Sequence, residues 1–322
     1  MPAGSTDENV VEIRDLKVYF KKGGFLSRKK TVTKALDGVS LDIKKGEILG
    51  LVGESGSGKT TLGRVTVGLQ KPTGGRVYLN VDGTRIDVAK AKLKTISKFV
   101  QMVYQDPYSS VDPIMKVYDV LKLPLKYRGV EDVEGKIREA MELVGLPLEL
   151  LENRVYQLSG GQRQRLSIAR AIAVDPKYVV LDEPTTMLDA SLKGEILKII
   201  KNIRDEKGIT FLLITHELPI AKLISDRIAV LYLGKILEVG RASDVLERPL
   251  HPYTQALLDA YPKIDPSLRG KMKEIRVKID VVRPEKGCVF HPRCPFAMDK
   301  CKESEPELKE VERDHYVACW LY

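Results

Sequence analysis

The sequence predicts an α/β fold in which helices cover a mostly parallel sheet, with an antiparallel β subdomain, a helical subdomain and a small C-terminal extension. Three observations lead to this fold class. An apolar run at residues 48–52 passes through a glycine-rich turn into a helical segment. Strand and helix patterns then alternate at residues 178–181, 191–204 and 209–215. Helical spacing of apolar residues between about residues 106 and 174 predicts the helical subdomain.

Three segments are predicted along the 322 residues. Residues 1–9 form a polar tail, residues 10–260 form the α/β domain, and residues 261–322 form an extension that is rich in proline and charge and carries four cysteines. Within the domain, short alternating stretches between residues 10 and 52 predict the β subdomain, and residues 241–260 predict a helix. A chain of this length can bury a substantial core.

Charge and hydropathy exclude several classes of protein. With 43% hydrophobic and 30% charged residues, the composition is that of a soluble globular chain. No apolar run approaches the ~18 residues that a membrane span needs, and residues 1–15 are too polar for a signal peptide, so we expect a cytoplasmic protein. The net charge of +9 is spread along the chain apart from a basic cluster at residues 21–34. That cluster predicts a solvated turn between strands, and nucleic-acid binding is not expected.

The glycine-rich turn after residues 48–52 reads G-E-S-G-S-G-K-T and fits the pattern G-x-x-x-x-G-K-[ST]. Its glycines let successive N–H groups point into one concavity, and the following helix adds its positive N-terminus. Lys59 supplies a charge to the outer phosphates, and the Thr60 hydroxyl is placed to ligate Mg²⁺. We therefore predict a nucleoside triphosphate site that consists of Gly53, Glu54, Ser55, Gly56, Ser57, Gly58, Lys59, Thr60 and Thr61.

Two carboxylates follow the apolar strand at residues 178–181. Asp182, at the carboxyl end of a core strand beside the phosphate loop, is placed to hold Mg²⁺ directly or through water. Glu183 then points to where an attacking water sits, as general base or water-orienting group. A pair that only caps a helix is the alternative interpretation, because Pro184 follows at once.

The stretch L-S-G-G-Q at residues 158–162 precedes a predicted helix. A Ser-Gly-Gly at a helix N-terminus forms a second anion site, because it presents free N–H groups and the positive dipole end. In combination with the phosphate loop and the Asp-Glu strand, the stretch matches the signature of ATP-binding cassette (ABC) proteins. The chain therefore resembles the nucleotide-binding subunit of an ABC transporter, which is an ATPase. The residues of the signature are Ser159, Gly160, Gly161 and Gln162.

The resemblance implies roles for further residues. Gln105 corresponds to the glutamine that contacts Mg²⁺ and water and links to the membrane subunit, and His216 to the histidine that contacts the γ-phosphate. With Glu183, these form the expected catalytic set. Asp189 corresponds to an aspartate that faces the partner across the dimer interface. Phe20, or alternatively Tyr19, is expected to stack on adenine.

The resemblance also implies an assembly. Each ATP lies between the phosphate loop of one subunit and the signature of another in a head-to-tail dimer, whose closure and reopening move two membrane subunits through a face around residues 107–120. Residues 249–254 (P-L-H-P-Y-T) and the cysteine-bearing extension resemble the oligopeptide/dipeptide branch of importers. Residues 62–64 and 103–108 resemble the second of its two paired ATPases.

The importer interpretation implies several partners and a location. The other ATPase subunit is a related chain or a second copy, and an extracellular binding protein acts indirectly. The protein is expected at the cytoplasmic face of the membrane, and its cargo is a peptide or an oligosaccharide. Two alternatives are a soluble ABC ATPase that acts on nucleic acid and a regulatory cassette. The former carries a coiled coil or a second cassette, and the latter lacks a base such as Glu183, so both fit this chain less well.

The cysteines have the spacing C-x5-C-x6-C-x17-C. Because disulfides are disfavoured in the cytosol, clustered thiols indicate a metal site. Four thiolates without a required histidine suit a [4Fe–4S] cluster, which the resemblance to the oligopeptide branch also implies. Zinc in a Cys₄ site, free thiols and a disulfide stay open as alternatives. The expected ligands are Cys288, Cys294, Cys301 and Cys319.

Overall fold

The computed structural model describes residues 9–22, 31–106, 110–260 and 283–322. Predictions for the first eight residues of the N-terminal tail, for residues 23–30 of the basic cluster, for residues 107–109 and for residues 261–282 lie outside the described residues.

The described strands and helices follow the predicted order with few differences. The strands are β1 (Asn9–Lys22), β2 (Thr31–Lys44), β3 (Ile48–Val52), β4 (Gly74–Val81), β5 (Thr84–Asp87), β6 (Val100–Val103), β7 (Tyr178–Asp182), β8 (Thr210–Thr215), β9 (Arg227–Tyr232), β10 (Lys235–Arg241), β11 (Lys309–Glu312) and β12 (His315–Val317). The α-helices are α1 (Lys59–Thr66), α2 (Leu93–Ile96), α3 (Val117–Arg128), α4 (Val133–Leu143), α5 (Gly160–Ile172), α6 (Ala190–Lys207), α7 (Leu218–Ile224), α8 (Ala242–Glu247), α9 (Pro252–Asp259) and α10 (Asp299–Glu303).

Two sheets organise the chain. An antiparallel sheet has the order β2-β1-β4-β5, and a larger one has the order β11-β12-β10-β9-β3-β8-β7-β6. In the larger sheet, β6, β7, β8, β3 and β9 are parallel. Every residue of β3, β7 and β8 is buried, because helices cover one face of the sheet and the antiparallel sheet with α1 covers the other. The predicted α/β fold with an antiparallel β subdomain is confirmed.

A helical subdomain lies between β6 and β7, as predicted. Helices α3, α4 and α5 pack around a shared apolar cluster that includes Leu121, Leu125, Ile137, Met141 and Leu166. Helix α4 begins where the Asp132 side chain accepts a hydrogen bond from the Gly135 N–H at 2.8 Å, which satisfies one of the unpaired N–H groups of the first turn.

The C-terminal region differs from the sequence prediction in two respects. The helix predicted at residues 241–260 is two helices, because the chain turns between α8 and α9 before Pro252, which begins α9. The extension also contributes β11 and β12 to the larger sheet, with Glu238 opposite Val317. These strands are short and their pattern is K-E-V-E and H-Y-V, so alternation is too brief to be recognised from the sequence.

Candidate functional site

A cavity of about 1200 Å³ lies at the carboxyl edge of the parallel strands. The phosphate loop (residues 53–60) follows β3, Glu183 follows β7, His216 follows β8, and Gln105 lies two residues beyond β6. Because these strands are neighbours, their carboxyl ends bring the four features together. The phosphate-loop side of the lining comprises Gly53, Glu54, Ser55, Gly56, Gly58, Lys59, Thr60 and Thr61. The remaining lining includes Gln105, Glu183, Thr186, His216, Leu233 and Arg283.

Glycine is required at two positions of the phosphate loop. Gly58 has φ 108 and a Cβ there would lie 2.3 Å from the Ala35 carbonyl oxygen, while a Cβ at Gly53 would lie 2.1 Å from that of Leu231. Lys59 is buried and donates hydrogen bonds to the carbonyl oxygens of Gly53, at 2.7 Å, and Glu54, at 2.9 Å. Its ammonium therefore spans the mouth of the loop, and burial lowers the pKa of Lys59.

Thr60 and Asp182 bring two hard oxygen atoms together. The Thr60 hydroxyl donates to Asp182 Oδ1 at 3.0 Å, and the Asp182 side chain is only 3% exposed. Burial raises the pKa of Asp182. A buried carboxylate and a hydroxyl oxygen beside a phosphate loop are the ligands that Mg²⁺ prefers, so these residues fit the ion that ATP brings.

Glu183 is the centre of the polar cluster in the cavity. Its carboxylate accepts hydrogen bonds from Gln105 Nε2 and from the Thr186 hydroxyl, both at 3.0 Å, and His216 Nδ1 lies 3.1 Å from Oε1. The backbone of Glu183 has φ 48, in the left-handed region that costs energy for a residue with a Cβ. The side chains of Gln105, Thr186 and His216 therefore hold the Glu183 carboxylate at the cavity wall, on a residue whose backbone is strained. Sequence reasoning did not identify Thr186.

The signature residues lie elsewhere. Ser159 precedes α5, and its hydroxyl accepts from the Gln162 N–H at 3.2 Å while Gln162 Oε1 accepts from the Ser159 N–H at 2.9 Å. Gly160 and Gly161 form the first turn of α5. None of these four residues lines the cavity. Asp189 is also outside it and caps α6 by accepting from the Leu192 N–H, which lowers the pKa of Asp189.

The predicted adenine contact is not part of the cavity wall. Phe20 is 43% exposed and lies opposite Thr33, which does line the cavity. The alternative residue, Tyr19, donates its hydroxyl hydrogen to Asp37. Of the two, only Phe20 has a substantially exposed ring.

Sequence reasoning missed a connection between the phosphate loop and the C-terminal region. Arg293 donates from NH1 to Glu54 Oε2 at 2.8 Å and from NH2 to Oε1 at 2.9 Å. The Tyr253 hydroxyl accepts the backbone N–H of Glu54 at 3.0 Å. Arg283 Nη2 also donates to Asp37 Oδ2 in β2, at 2.6 Å. No local pattern relates residues so distant in the chain, so the sequence held no signal for these contacts.

The four cysteines line one small cavity of about 10 Å³, together with His251 and Phe290. Burial raises the pKa of Cys288 and of Cys294 to about 11, so in this arrangement these two thiols are protonated at neutral pH. In the part of the chain that the structure describes, His, Cys, Asp and Glu side chains nowhere converge in groups of three or more that could hold a metal ion. A space of this volume fits about one water molecule, so a four-iron cluster does not fit unless the thiols move apart.

A phosphate loop, a hydroxyl–carboxylate pair that fits Mg²⁺ and a held carboxylate around one cavity are the features of a P-loop ATPase. A family model described as "ABC transporter" matches residues 36–186, and one described as "Oligopeptide/dipeptide transporter, C-terminal region" matches residues 237–301. This chain belongs to the ATP-binding subunits of ABC transporters, in the branch that carries the oligopeptide/dipeptide transporter C-terminal region, and it is an ATPase that works with ATP and Mg²⁺.

Relatives match almost the whole chain. "Putative oligopeptide transport ATP-binding protein YkfD" of Bacillus subtilis (strain 168) is 41% identical over 97% of this chain and 95% of its own length. "Oligopeptide transport ATP-binding protein AppF" of the same organism is 39% identical over 99% of both. The match to the C-terminal region favours an importer subunit over the nucleic-acid and regulatory alternatives.

Solved structures confirm the fold. The ATP-binding cassette MJ0796, a dimer in a post-hydrolysis state with ADP and Pi, has a TM-score of 0.63 and 29% identity, covering 72% of this chain and 98% of its own. The cbiO1 protein of Clostridium perfringens, part of the transporter complex cbiONQ, has a TM-score of 0.65 and 26% identity, covering 75% and 92%. Among the described residues, no helix combines the length and apolarity that crossing a membrane requires.

Proposed function

We propose that this chain powers peptide uptake at the cytoplasmic face of a membrane, as the ATP-hydrolysing subunit beside two membrane subunits. The observation that carries this proposal is the similarity to YkfD and AppF, both named for oligopeptide transport, which extends through the C-terminal region to nearly the full chain. An oligosaccharide is the alternative cargo, because the ATPase does not contact the cargo itself.

In the proposed reaction the described side chains divide the work. Glu183 accepts a proton from the attacking water or orients it, and Gln105 and His216 hold the carboxylate in place. The phosphate loop binds the triphosphate through its N–H groups and Lys59. Thr60 and Asp182, with Gln105, would hold Mg²⁺, which would neutralise charge on the phosphates. Phe20 stacks on the adenine from the edge of the cavity.

The proposed active unit is a dimer. Residues 159–162 lie outside the chain's own cavity, and Ser159 is exposed, so the N-terminus of α5 is open to an anion from another subunit. Asp189 lies at the N-terminus of α6, which we place at the dimer interface, facing the partner. The dimeric structure of the cassette MJ0796 supports a dimeric unit. The partner is a related ATPase, as the likeness to the second paired subunit suggests, or a second copy, and the binding protein outside the cell acts through the membrane subunits.

A groove beside Gln105 is the proposed contact with the membrane subunits. It encloses about 690 Å³ and is lined mainly by apolar side chains of α2, α3 and the segment after β6. Leu123 and Tyr127 line this groove and are 64% and 67% exposed. Exposed apolar side chains around one concavity indicate an interaction surface. Residues 110–120 of the predicted membrane face contribute Ser110, Val111, Asp112, Met115 and Val120 to it.

Reconstitution of the transporter in vesicles tests this proposal. We expect the binding protein loaded with peptides to raise ATP hydrolysis, and Leu123→Glu to abolish this rise because a charge enters the apolar groove. Leu148→Glu, at an exposed leucine outside the groove, is the matched control and should behave as wild type. Stimulation by oligosaccharides and not by peptides would contradict the proposed cargo, and full stimulation of the Leu123 variant would contradict the proposed surface.

We further propose that the four cysteines bind a metal, as a [4Fe–4S] cluster or as Zn²⁺. Their shared cavity and their soft thiol ligands support this, although the thiols must rearrange before they can coordinate. Protein purified without oxygen should contain roughly four iron atoms, with visible absorption, or one zinc atom per chain. Cys288→Ser should lower that content, whereas Ser304→Ala should not. A colourless protein free of both metals leaves free thiols or a disulfide as the correct interpretation.

A further inference from the structure

We propose that the C-terminal region sets the affinity of the phosphate loop for ATP by holding Glu54. Arg293 neutralises the Glu54 carboxylate, and Tyr253 fixes the Glu54 backbone. Both are positioning residues, because they act on the loop and not on the nucleotide. The inference rests on the proposed use of residues 53–60 as the ATP site and is independent of the cargo.

The contact between Arg293 and Glu54 is a two-pronged ion pair. Each of the two guanidinium NH groups donates to one carboxylate oxygen, at 2.8 and 2.9 Å. The Arg293 side chain is 13% exposed and the Glu54 side chain is 33% exposed. This fork geometry fixes direction as well as distance. Arg293 also donates to the Tyr232 hydroxyl at 3.3 Å, and its guanidinium carbon lies 5.9 Å from the centre of the Phe290 ring. The arginine is therefore itself held by the buried core of the extension.

Tyr253 supports the same residue from the backbone. Its ring is 1% exposed and packs against Tyr232 and Phe290 at centroid distances of 4.5 and 5.3 Å. Its hydroxyl accepts the Glu54 N–H at 3.0 Å, so this N–H is directed away from the nucleotide cavity and into the C-terminal core. Glu54 is thus bound through both its main chain and its side chain by residues of the C-terminal region.

The physical need for this hold is electrostatic. Glu54 lies between Gly53 and Ser55 on a loop whose task is to bind several negative charges, and an uncompensated carboxylate there repels the phosphates. A cation paired with the carboxylate removes most of that repulsion and turns the side chain toward the extension. Loss of Arg293 therefore exposes a negative charge next to the site, while the Tyr253 hydroxyl still holds the loop backbone.

Binding of MgATP to wild type and to three variants tests the inference. We expect Arg293→Gln to weaken MgATP binding about tenfold, equal to about 1.4 kcal/mol. In the Glu54→Gln background the same Arg293→Gln change should alter the affinity by less than about threefold, since no carboxylate is left to neutralise. Glu54→Gln alone is the reference for that comparison, because Glu54 itself lines the cavity. In steady-state hydrolysis, KM for ATP should rise in Arg293→Gln while kcat changes little, because the pair lies outside the catalytic cluster.

Controls separate this role from a merely structural one. Arg248→Gln removes an exposed arginine that pairs with Asp244 and Glu312 and should leave MgATP affinity unchanged. If Arg293→Gln does not fold, Tyr253→Phe takes its place, with an expected loss of roughly fivefold for one hydrogen bond. Unchanged affinity in the folded Arg293→Gln variant, or a loss of about tenfold that persists when the same change is made in the Glu54→Gln background, overturns the inference. Lys59→Ala, measured in parallel, reports separately whether residues 53–60 bind ATP at all.

Discussion

Replacement of Glu183 by glutamine is expected to lower the steady-state rate of ATP hydrolysis by at least about 100-fold, the size of effect that a general base contributes. Glutamine keeps the shape of the side chain and can still contact Gln105, Thr186 and His216, so the cavity should remain intact. It cannot accept a proton from water. ATP should therefore bind and remain uncleaved, and the ATP-bound dimer should accumulate. Phosphate release and size-exclusion chromatography with MgATP measure the two effects.

Glu217→Gln is the matched control for this prediction. Glu217 follows His216 in the chain, yet its carboxylate pairs with Lys193 at 2.7 Å and does not line the cavity. Hydrolysis by this variant should stay within about twofold of wild type, as surface substitutions usually have small effects. Wild-type turnover by the Glu183 variant would show that another group activates the water.

The positions of the proposed catalytic residues could be predicted because each follows a core strand. Short-range patterns mark strands such as β7 and β8, and the carboxyl ends of neighbouring parallel strands meet at one edge. The geometry of a parallel sheet therefore brings Glu183 and His216 together, although helix α6 separates them in the sequence. The sequence also predicts Gly53 and Gly58, since a loop that curls around phosphates needs backbone conformations that only glycine adopts easily.

Contacts between distant segments of the chain could not be predicted from the sequence. The pairing of β12 with β10 and the ion pair of Arg293 with Glu54 depend on the path of the chain through the extension, which no periodicity records. Phe20 shows the same limit of prediction from the sequence. Its type and position suggest an aromatic contact with adenine, yet whether the ring reaches a ligand depends on how far β1 and β2 extend past the cavity.

Lys59→Ala is expected to weaken MgATP binding by about 100-fold to 1,000-fold. The ammonium lies across the loop, bound to the carbonyl oxygens of Gly53 and Glu54, and hydrogen bonds to a charged group each contribute about 1.5–3 kcal/mol. Alanine removes the positive charge that would contact the outer phosphates, and two such bonds at the lower end of this range, about 3–4 kcal/mol together, correspond to the expected loss. Isothermal titration calorimetry with MgATP measures the loss directly.

Thermal unfolding gives an independent reading of the Lys59 variant. A ligand that binds only the folded state raises the unfolding midpoint by an amount that grows with the logarithm of its concentration divided by Kd, so at a MgATP concentration near the Kd of the variant MgATP should stabilise wild type and leave Lys59→Ala nearly unchanged. Lys71→Ala removes an exposed lysine beyond α1 that does not line the cavity, and its midpoint should rise with MgATP as in wild type. Because Lys59 is buried and burial lowers its pKa, its charge is costly to keep without a phosphate nearby. Without nucleotide, the alanine variant should therefore unfold no earlier than wild type. A variant that still gains stability from MgATP would mean that the loop binds phosphate through its backbone N–H groups alone.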